Sequence, residues 1–348
     1  MSHNKNLDVL LGNLRGLAES AEKEDHFKPV FDKLREFISN SGPIKYNHGG
    51  KWMTSGVFFV IGAIYTWLFF TSYELQRQLD WIGFVLLAVF WVVTCIPLFM
   101  IAGKNGEISG ISNLIFEKDI LFDNKLEFVN ISDKEKSLYQ QFKQAFGEFR
   151  GRGDEQRKIT RLVRGRHVGK EVQFDYEYYV FHYVEVYYVP VTRKVGNSTI
   201  TTMERRTRTC YRYGLNTDFD HKKGVAVVSG GGSYKYPHEW TTESQKFNKT
   251  FSVYTQDQMV AAKFLPPTVV LAFEEIDSYF SGLNLEVNKD GRMNIGFSNS
   301  DVLELERQHS IADPDAFKKE IESFLELPKL NMLLEFIETL HKYNDSNF

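Results

Sequence analysis

From Trp52 to Tyr73 the chain carries no charged side chain, and from Trp81 to Gly103 the pattern recurs as WIGFVLLAVFWVVTCIPLFMIAG. Few folds accept two such runs so close together. A helix needs about 20 apolar residues to cross roughly 30 Å of hydrocarbon, and each run exceeds that. Core helices of soluble proteins are usually shorter and keep a polar face, whereas these runs are apolar all round. The Val, Ile, Leu and Phe residues of the first run supply roughly −3 to −5 kcal/mol of insertion free energy, enough to offset its Gly, Thr and Ser. The sequence is therefore read as a transmembrane hairpin with spans at about 52–73 and 81–103. Trp52, Tyr65, Trp67, Tyr73, Trp81 and Trp91 include the aromatics expected near headgroups at several run ends. Pro97 is expected to kink the second helix near its end.

The linker Glu74 to Asp80, ELQRQLD, is too short to fold by itself, so the spans should run antiparallel with both termini on one side. Lys33, Arg35, Lys45 and Lys51 precede the first span and Lys104 and Lys118 follow the second, while the linker carries only Arg77. The positive-inside rule then puts both termini in the cytoplasm. The first run begins some fifty residues in, behind a charged segment and with no small-residue cleavage motif. It reads as an anchor, not a removable signal. Cys95 falls in the second span and Cys210 far downstream, so no disulfide framework is expected and a reducing compartment fits. The sequons at Asn130, Asn197 and Asn248 have no role under this topology.

Averaged over 348 residues the composition is that of a soluble protein, with 25% charged residues and a mean hydropathy of −0.32. The remainder should accordingly fold in water. Residues 5 to 40 read as two amphipathic helices, with Phe27, Val30, Phe31, Leu34, Phe37 and Ile38 at helical spacing and a stop at Ser41-Gly42-Pro43. Their polar face mixes both charge signs, which favours packing on the protein's own soluble part over lying on lipid. Leu138, Phe142, Ala145, Phe146 and Phe149 mark a further helix. Strict alternation from Glu171 to Tyr178 then announces a half-buried strand, and β-formers continue through Val191. After a turn at Gly196-Asn197 the segment STITTMERRTRTCYRY returns, giving a long antiparallel hairpin. Strands at 225–228, at 251–255 and in a hairpin around Lys289-Asp290-Gly291 alternate with helices after Pro266-Pro267, at 314–326 and at 328–343. This mixture without βαβ spacing is α+β. Three parts follow: residues 1–50 as cytoplasmic amphipathic helices, 51–103 as the membrane hairpin and 104–348 as a cytoplasmic α+β domain.

The run FSVYTQDQMVAAKFLPPTVVLAFEEIDSYF, with GRMNIGF after it, resembles a bacterial membrane family filed as domain of unknown function 3137. Phe251, Val253, Tyr254 and Asp257 match its strand, and Ala262-Lys263-Phe264-Leu265-Pro266 stands in place of its A-R-Y-L-L-T-P, with Ala261 where the family has an acid. Upstream, Gly165, Gly169, Val172 and Phe174 are similar to its G-x-x-x-G-x-x-V-x-F pattern. The resemblance implies a bacterial inner-membrane protein with paired N-terminal spans. Its motifs are structural, and it implies no activity.

No catalytic, metal or nucleotide signature stands out. His182 and Glu185 lie three apart on a strand and face opposite ways, and neither HExxH nor paired cysteines occur, so neither metal nor cofactor is expected. His167, His221 and His238 read as solvated or loop residues. SGGGSYK at Ser229–Lys235 lacks the Lys-Ser/Thr pair of a phosphate loop and reads as a flexible hairpin loop. Charge is the surviving signal. Arg150, Arg152, Arg157, Lys158, Arg161, Arg164, Arg166 and Lys170 crowd one stretch, and Arg193, Lys194, Arg205, Arg206, Arg208 and Arg212 decorate the hairpin of a chain whose net charge is −3. Arg193, Lys194, Arg205, Arg206 and Arg208 are the candidate site. A hairpin brings both basic arms to one end, where they repel unless an anion lies between. Anionic lipid headgroups are the nearest source for a tethered cytoplasmic domain, with a protein partner or a second copy as other occupants and nucleic acid disfavoured. The sequence thus points to a membrane-anchored binding or scaffold protein and not to an enzyme. The competing reading is a tethered hydrolase or transferase whose site is assembled from distant residues.

Overall fold

The computed structural model describes residues 2–195, 198–298 and 301–344. The chain forms two compact units, one of residues 1–123 with 306–325, the other of 124–305 with 326–348. Neither is contiguous in sequence.

The first unit is helical. Helix α1 (His3–Ser20) buries Leu7, Leu10, Leu11, Leu14 and Ala18 along one stripe, and α2 (Lys28–Ser41) buries Val30, Phe31, Leu34 and Phe37. Helices α3 (Gly49–Thr71) and α4 (Tyr73–Asp123) carry the two apolar runs and are long and apolar enough to cross a membrane. Their windows of mean hydropathy 1.7 and 2.7 are only 17% and 11% buried, whereas a soluble core helix would be mostly covered. They pack antiparallel: Ser55 Oγ donates to the Thr94 carbonyl at 2.6 Å, and Tyr65 OH to that of Gly83 at 3.2 Å. A Cβ on Gly83 would lie 2.2 Å from the ring of Phe69, itself fully buried. The missing side chain is what lets the two helices meet there.

Two features of α4 depart from the sequence reading. The linker 74–80 is helical; the chain leaves the helix at Ser72, and within α4 it is interrupted at Asp80, whose φ is 44°. The helix also runs on past Gly103 to Asp123, roughly 30 Å further at about 1.5 Å per residue. That extension turns amphipathic, burying Ile108, Ile111, Ile115, Phe116 and Ile120. The N-terminal helices dock on it. Lys104 pairs with Asp8 at 3.0 Å, and Lys118 Nζ donates to the carbonyls of Glu19 and Ala21 at 2.6 and 2.9 Å. A late helix, Pro314–Ile321, joins the same cluster through Phe317 against Phe31, 6.0 Å between ring centroids.

The second unit is built on one nine-stranded sheet. Its elements in order are β1 (Glu127–Phe128), α5 (Glu135–Ala145), β2 (Glu155–Val168), β3 (Gln173–Val195), β4 (Ser198–Asp218) and β5 (Val225–Val228). Then come β6 (His238–Trp240), α6 (Gln245–Thr250), β7 (Ser252–Thr255), α7 (Gln258–Phe264), α8 (Pro267–Ile276), β8 (Asn284–Val287), β9 (Arg292–Phe297) and α10 (Pro328–Asn344), while α9, the helix Pro314–Ile321 already met, belongs to the first unit. The order across the sheet is β1-β2-β3-β4-β9-β8-β5-β7-β6, with every pair antiparallel. One face between α5 and β2–β3 holds an aromatic core of Phe142, Phe146, Phe149, Tyr179 and Phe181. β2 lies in the arginine-rich stretch that the sequence reading treated only as a charge run. Two irregularities in its register, between Glu155 and Lys158 and between Ile159 and Arg161, break the alternation that would have announced it.

Candidate functional site

The hairpin β3–β4 is far longer than the sheet it belongs to. Pairing of β3 with β2 ends at Glu155↔Val184, and β4 pairs with β9 only from Tyr213 to Asp218. From Glu185↔Arg208 to Val195↔Ser198 the two strands pair with each other alone. At about 3.3 Å per residue this free ribbon is roughly 35 Å long. Pro190 donates nothing to a ladder, and it is tolerated because the outer edge of β3 has no partner there among the described residues.

Cross-strand partners share a face, so the register assigns every side chain. One face carries Tyr188 with Arg205, Pro190 with Met203, Thr192 with Thr201 and Lys194 with Thr199. The other carries Glu185 with Arg208, Tyr187 with Arg206, Val189 with Glu204 and Arg193 with Ile200. Tyr187, Tyr188, Ile200 and Met203 are all exposed. The two basic arms are therefore staggered along the ribbon and not opposed. Arg205 pairs with Glu155 at 2.6 Å, Arg206 with Glu204 at 3.2 Å and Arg208 with Glu185 at 2.6 Å. The mutual repulsion expected from the sequence is already relieved at those three by carboxylates. Arg193 and Lys194, at the far end, are exposed and have no ion pair among the described residues. The turn residues Gly196 and Asn197 lie outside the described residues.

Several cations of the arginine-rich stretch are likewise paired. Lys158 meets Glu135 at 2.8 Å, Arg161 meets Asp301 at 3.3 Å and Arg164 meets Glu177 at 3.1 Å. Arg152 and Arg212 turn inward to Glu148, which is fully buried. Glu148 Oε1 accepts from Arg212 Nε at 2.6 Å and lies 3.0 Å from Arg152 Nε; Oε2 accepts from Asn284 Nδ2 at 2.6 Å and Tyr234 OH at 3.1 Å. Burial opposes the Glu148 charge, but the two guanidiniums outweigh it and hold the carboxyl below its usual range. Asn284 also donates to the carbonyls of Gly230 and Gly231, at 2.6 and 3.1 Å, and Arg152 donates to that of Gly230. The Gly230–Gly232 loop, read from sequence as flexible, is thus held by side chains. With its acceptors taken and no solvent access, Glu148 is placed to hold strands and loop together. Nothing in the sequence flagged Glu148, because apart from Arg152, four residues on, its partners lie 64 to 136 residues away.

Two of the histidines read as solvated or loop residues make defined contacts, His167 on β2 and His221 in the loop after β4. His167 Nε2 lies 3.1 Å from Glu338 Oε2, and His221 Nε2 lies 3.3 Å from His341 Nδ1, both against α10. No group of three metal-ligating side chains occurs among the described residues. The C-terminal motif residues prove structural: Phe251, Val253 and Phe264 are buried, and Asp257 caps α7 by accepting from Met259 N at 2.8 Å.

Residues 220–342 match a family described as protein of unknown function (DUF3137). The likeness to that family covers this segment, about a third of the chain. The DUF3137 match runs from the loop after β4 into α10, so it takes in Asn284 and the glycine loop but leaves out the free ribbon, Glu148, Arg152 and Arg212. Comparison with curated proteins and with solved structures finds no match.

Proposed function

We propose that this protein is a membrane-anchored binding or scaffold protein of the bacterial inner membrane, with both termini in the cytoplasm, whose free ribbon rests on anionic lipid. The observation that carries the lipid reading is the far end of the ribbon. Arg193 and Lys194, without carboxylate partners among the described residues, stand beside exposed Ile200 and Met203, which is the mixture that interfacial binding uses. Each basic residue at an anionic surface contributes about 1 kcal/mol. The paired Arg205, Arg206 and Arg208 contribute less, since lipid must compete with Glu155, Glu204 and Glu185.

Full-length protein held in phosphatidylcholine nanodiscs should float with separate vesicles containing phosphatidylglycerol and not with neutral ones. Added salt should weaken this, since exposed charges are screened over about 8 Å at physiological ionic strength. Arg193→Gln with Lys194→Gln should cost about 2 kcal/mol, roughly thirtyfold in affinity, and Arg205→Gln with Arg206→Gln and Arg208→Gln should cost less. A double variant that floats like the parent ends the lipid reading.

The topology is tested separately. After partial unfolding, an impermeant thiol reagent should reach Cys210 only in inverted vesicles. Labelling in right-side-out vesicles would reverse the assignment.

A further inference from the structure

A second feature of the sheet unit lies in a cavity of about 330 Å³ between the C-terminal end of α5 and the turn joining β8 to β9. Its wall contains three cations, Arg150, Lys235 and Lys289, and two carboxyls, Glu286 and Asp290. Several other cations of this unit meet carboxylates, as at Arg161, Arg164 and Arg208. Lys235 and Lys289 are exposed and form no ion pair among the described residues, and Asp290 neutralises neither.

Glu286 is 4% exposed, and both its oxygens are already used. Oε2 accepts from the Gly147 N–H at 2.5 Å and Oε1 from Tyr236 OH at 2.8 Å. Burial also pushes its carboxyl above the usual range, so it carries less negative charge into the cavity than its formula implies. Arg150 is held rigidly. Its Nε donates to the Lys143 carbonyl at 2.9 Å and its Nη2 to that of Gln144 at 2.6 Å, which satisfies the end of α5 and leaves Nη1 without a protein partner among the described residues. A fixed guanidinium edge beside two unneutralised ammonium groups is a preformed receptor for a group of charge about −2. A carboxylate, at −1, would leave more of that positive charge uncompensated.

We propose that this cavity binds a small phosphate monoester through Arg150, Lys235 and Lys289, with the Tyr236–Glu286 pair as its polar floor. The volume falls at the lower end of the 300–1,000 Å³ typical of ligand sites, which suits a sugar phosphate. Three sources offer this chemistry: free phosphate, a soluble ester and a lipid headgroup.

The test uses the full-length protein in a neutral detergent, titrated calorimetrically with inorganic phosphate, ribose 5-phosphate, short-chain phosphatidic acid and, as control, ribose. Ribose 5-phosphate is expected to bind at least tenfold tighter than ribose and to raise Tm. Tighter binding of phosphate or of phosphatidic acid than of ribose 5-phosphate would keep the site and reassign its source. Lys235→Gln with Lys289→Gln should weaken binding at least tenfold and leave the ligand-free Tm unchanged, because both side chains are exposed. This variant avoids the loss of the α5 contacts that Arg150→Gln would entail. The ribbon variant Arg193→Gln with Lys194→Gln should bind ribose 5-phosphate like the parent, which separates this site from the lipid contact. Failure of all three phosphates to bind at millimolar concentration, or undiminished binding by the double lysine variant, overturns the proposal.

Discussion

Replacing Glu148 by glutamine is expected to destabilise the sheet unit by about 3–5 kcal/mol, the cost of leaving a buried charge without its counterion. Arg212 and Arg152 are 3% and 11% exposed at the side chain and cannot turn to solvent. The amide keeps the shape but loses the charge. Hydrogen exchange of amides in β4 and β8 reports on this unit alone and should accelerate strongly; unchanged exchange would show that Glu148 is not the counterion. Glu286→Gln provides the contrast. The folded state already disfavours the Glu286 carboxylate, so at neutral pH its neutral isostere should change stability by less than about 1 kcal/mol. The pH dependence separates the two residues. The Glu148 carboxyl is depressed by folding, so its contribution is complete above its ordinary value of 4.5 and lost as pH falls through the lower folded value. Glu286 is raised, so its penalty grows as pH climbs from 4.5 through its folded value, and Glu286→Gln should remove that part of the profile.

The second large effect is expected at Gly214. A Cβ there would lie 2.2 Å from the Ile295 carbonyl oxygen and 2.4 Å from the Tyr179 hydroxyl. The first is backbone and cannot swing aside. Gly214→Val should therefore push β4 from β9 and break the bond from Asn294 Nδ2 to Tyr179 OH, now 2.9 Å. Overpacking of this kind costs about 1–3 kcal/mol. Since β4–β9 joins the two halves of the sheet among the described residues, the amides of β9 should lose protection before those of β5 and β7. Uniform loss across all nine strands would show instead that the sheet opens as one body.

The elements legible in the sequence are those whose signal is local. Charge-free runs longer than a bilayer, the stripe of Val30, Phe31, Leu34 and Phe37 and the Asp313-Pro314 start of α9 all depend on neighbours a few residues apart. The Asp313 carboxylate indeed accepts from Ala316 N at 3.3 Å. Strand β2 was not legible, because bulges at Glu155 and near Ile159 interrupt its period. The extension of α4 was hidden because its apolar face appears only beyond the span, where attention to hydropathy stops. The basic signal was legible as composition but not as geometry. Pairing of Arg205 with Glu155 spans 50 residues and of Arg212 with Glu148 spans 64, distances at which no spacing rule operates. The same holds for the cavity of Arg150, Lys235 and Lys289, which three separate stretches of chain supply.

The interleaving of the two units has a consequence for the order in which a ribosome can finish them. Both apolar runs are complete once residue 103 has emerged, yet the helical unit still needs residues 306–325. Ile311 N donates to Ser112 Oγ at 3.1 Å, Arg307 Nε to Asn113 at 3.0 Å and Leu325 N to Asp123 at 2.6 Å. At about 5–20 residues per second, roughly 10–45 s of synthesis separates completion of the apolar runs from closure of that unit. During that interval the groove on α4 that the late segment fills stays open, and the sheet forms while its neighbour in sequence waits. A chain stopped between residues 104 and 325 would therefore hold both apolar runs yet leave both units unfinished, a state for a protease to recognise.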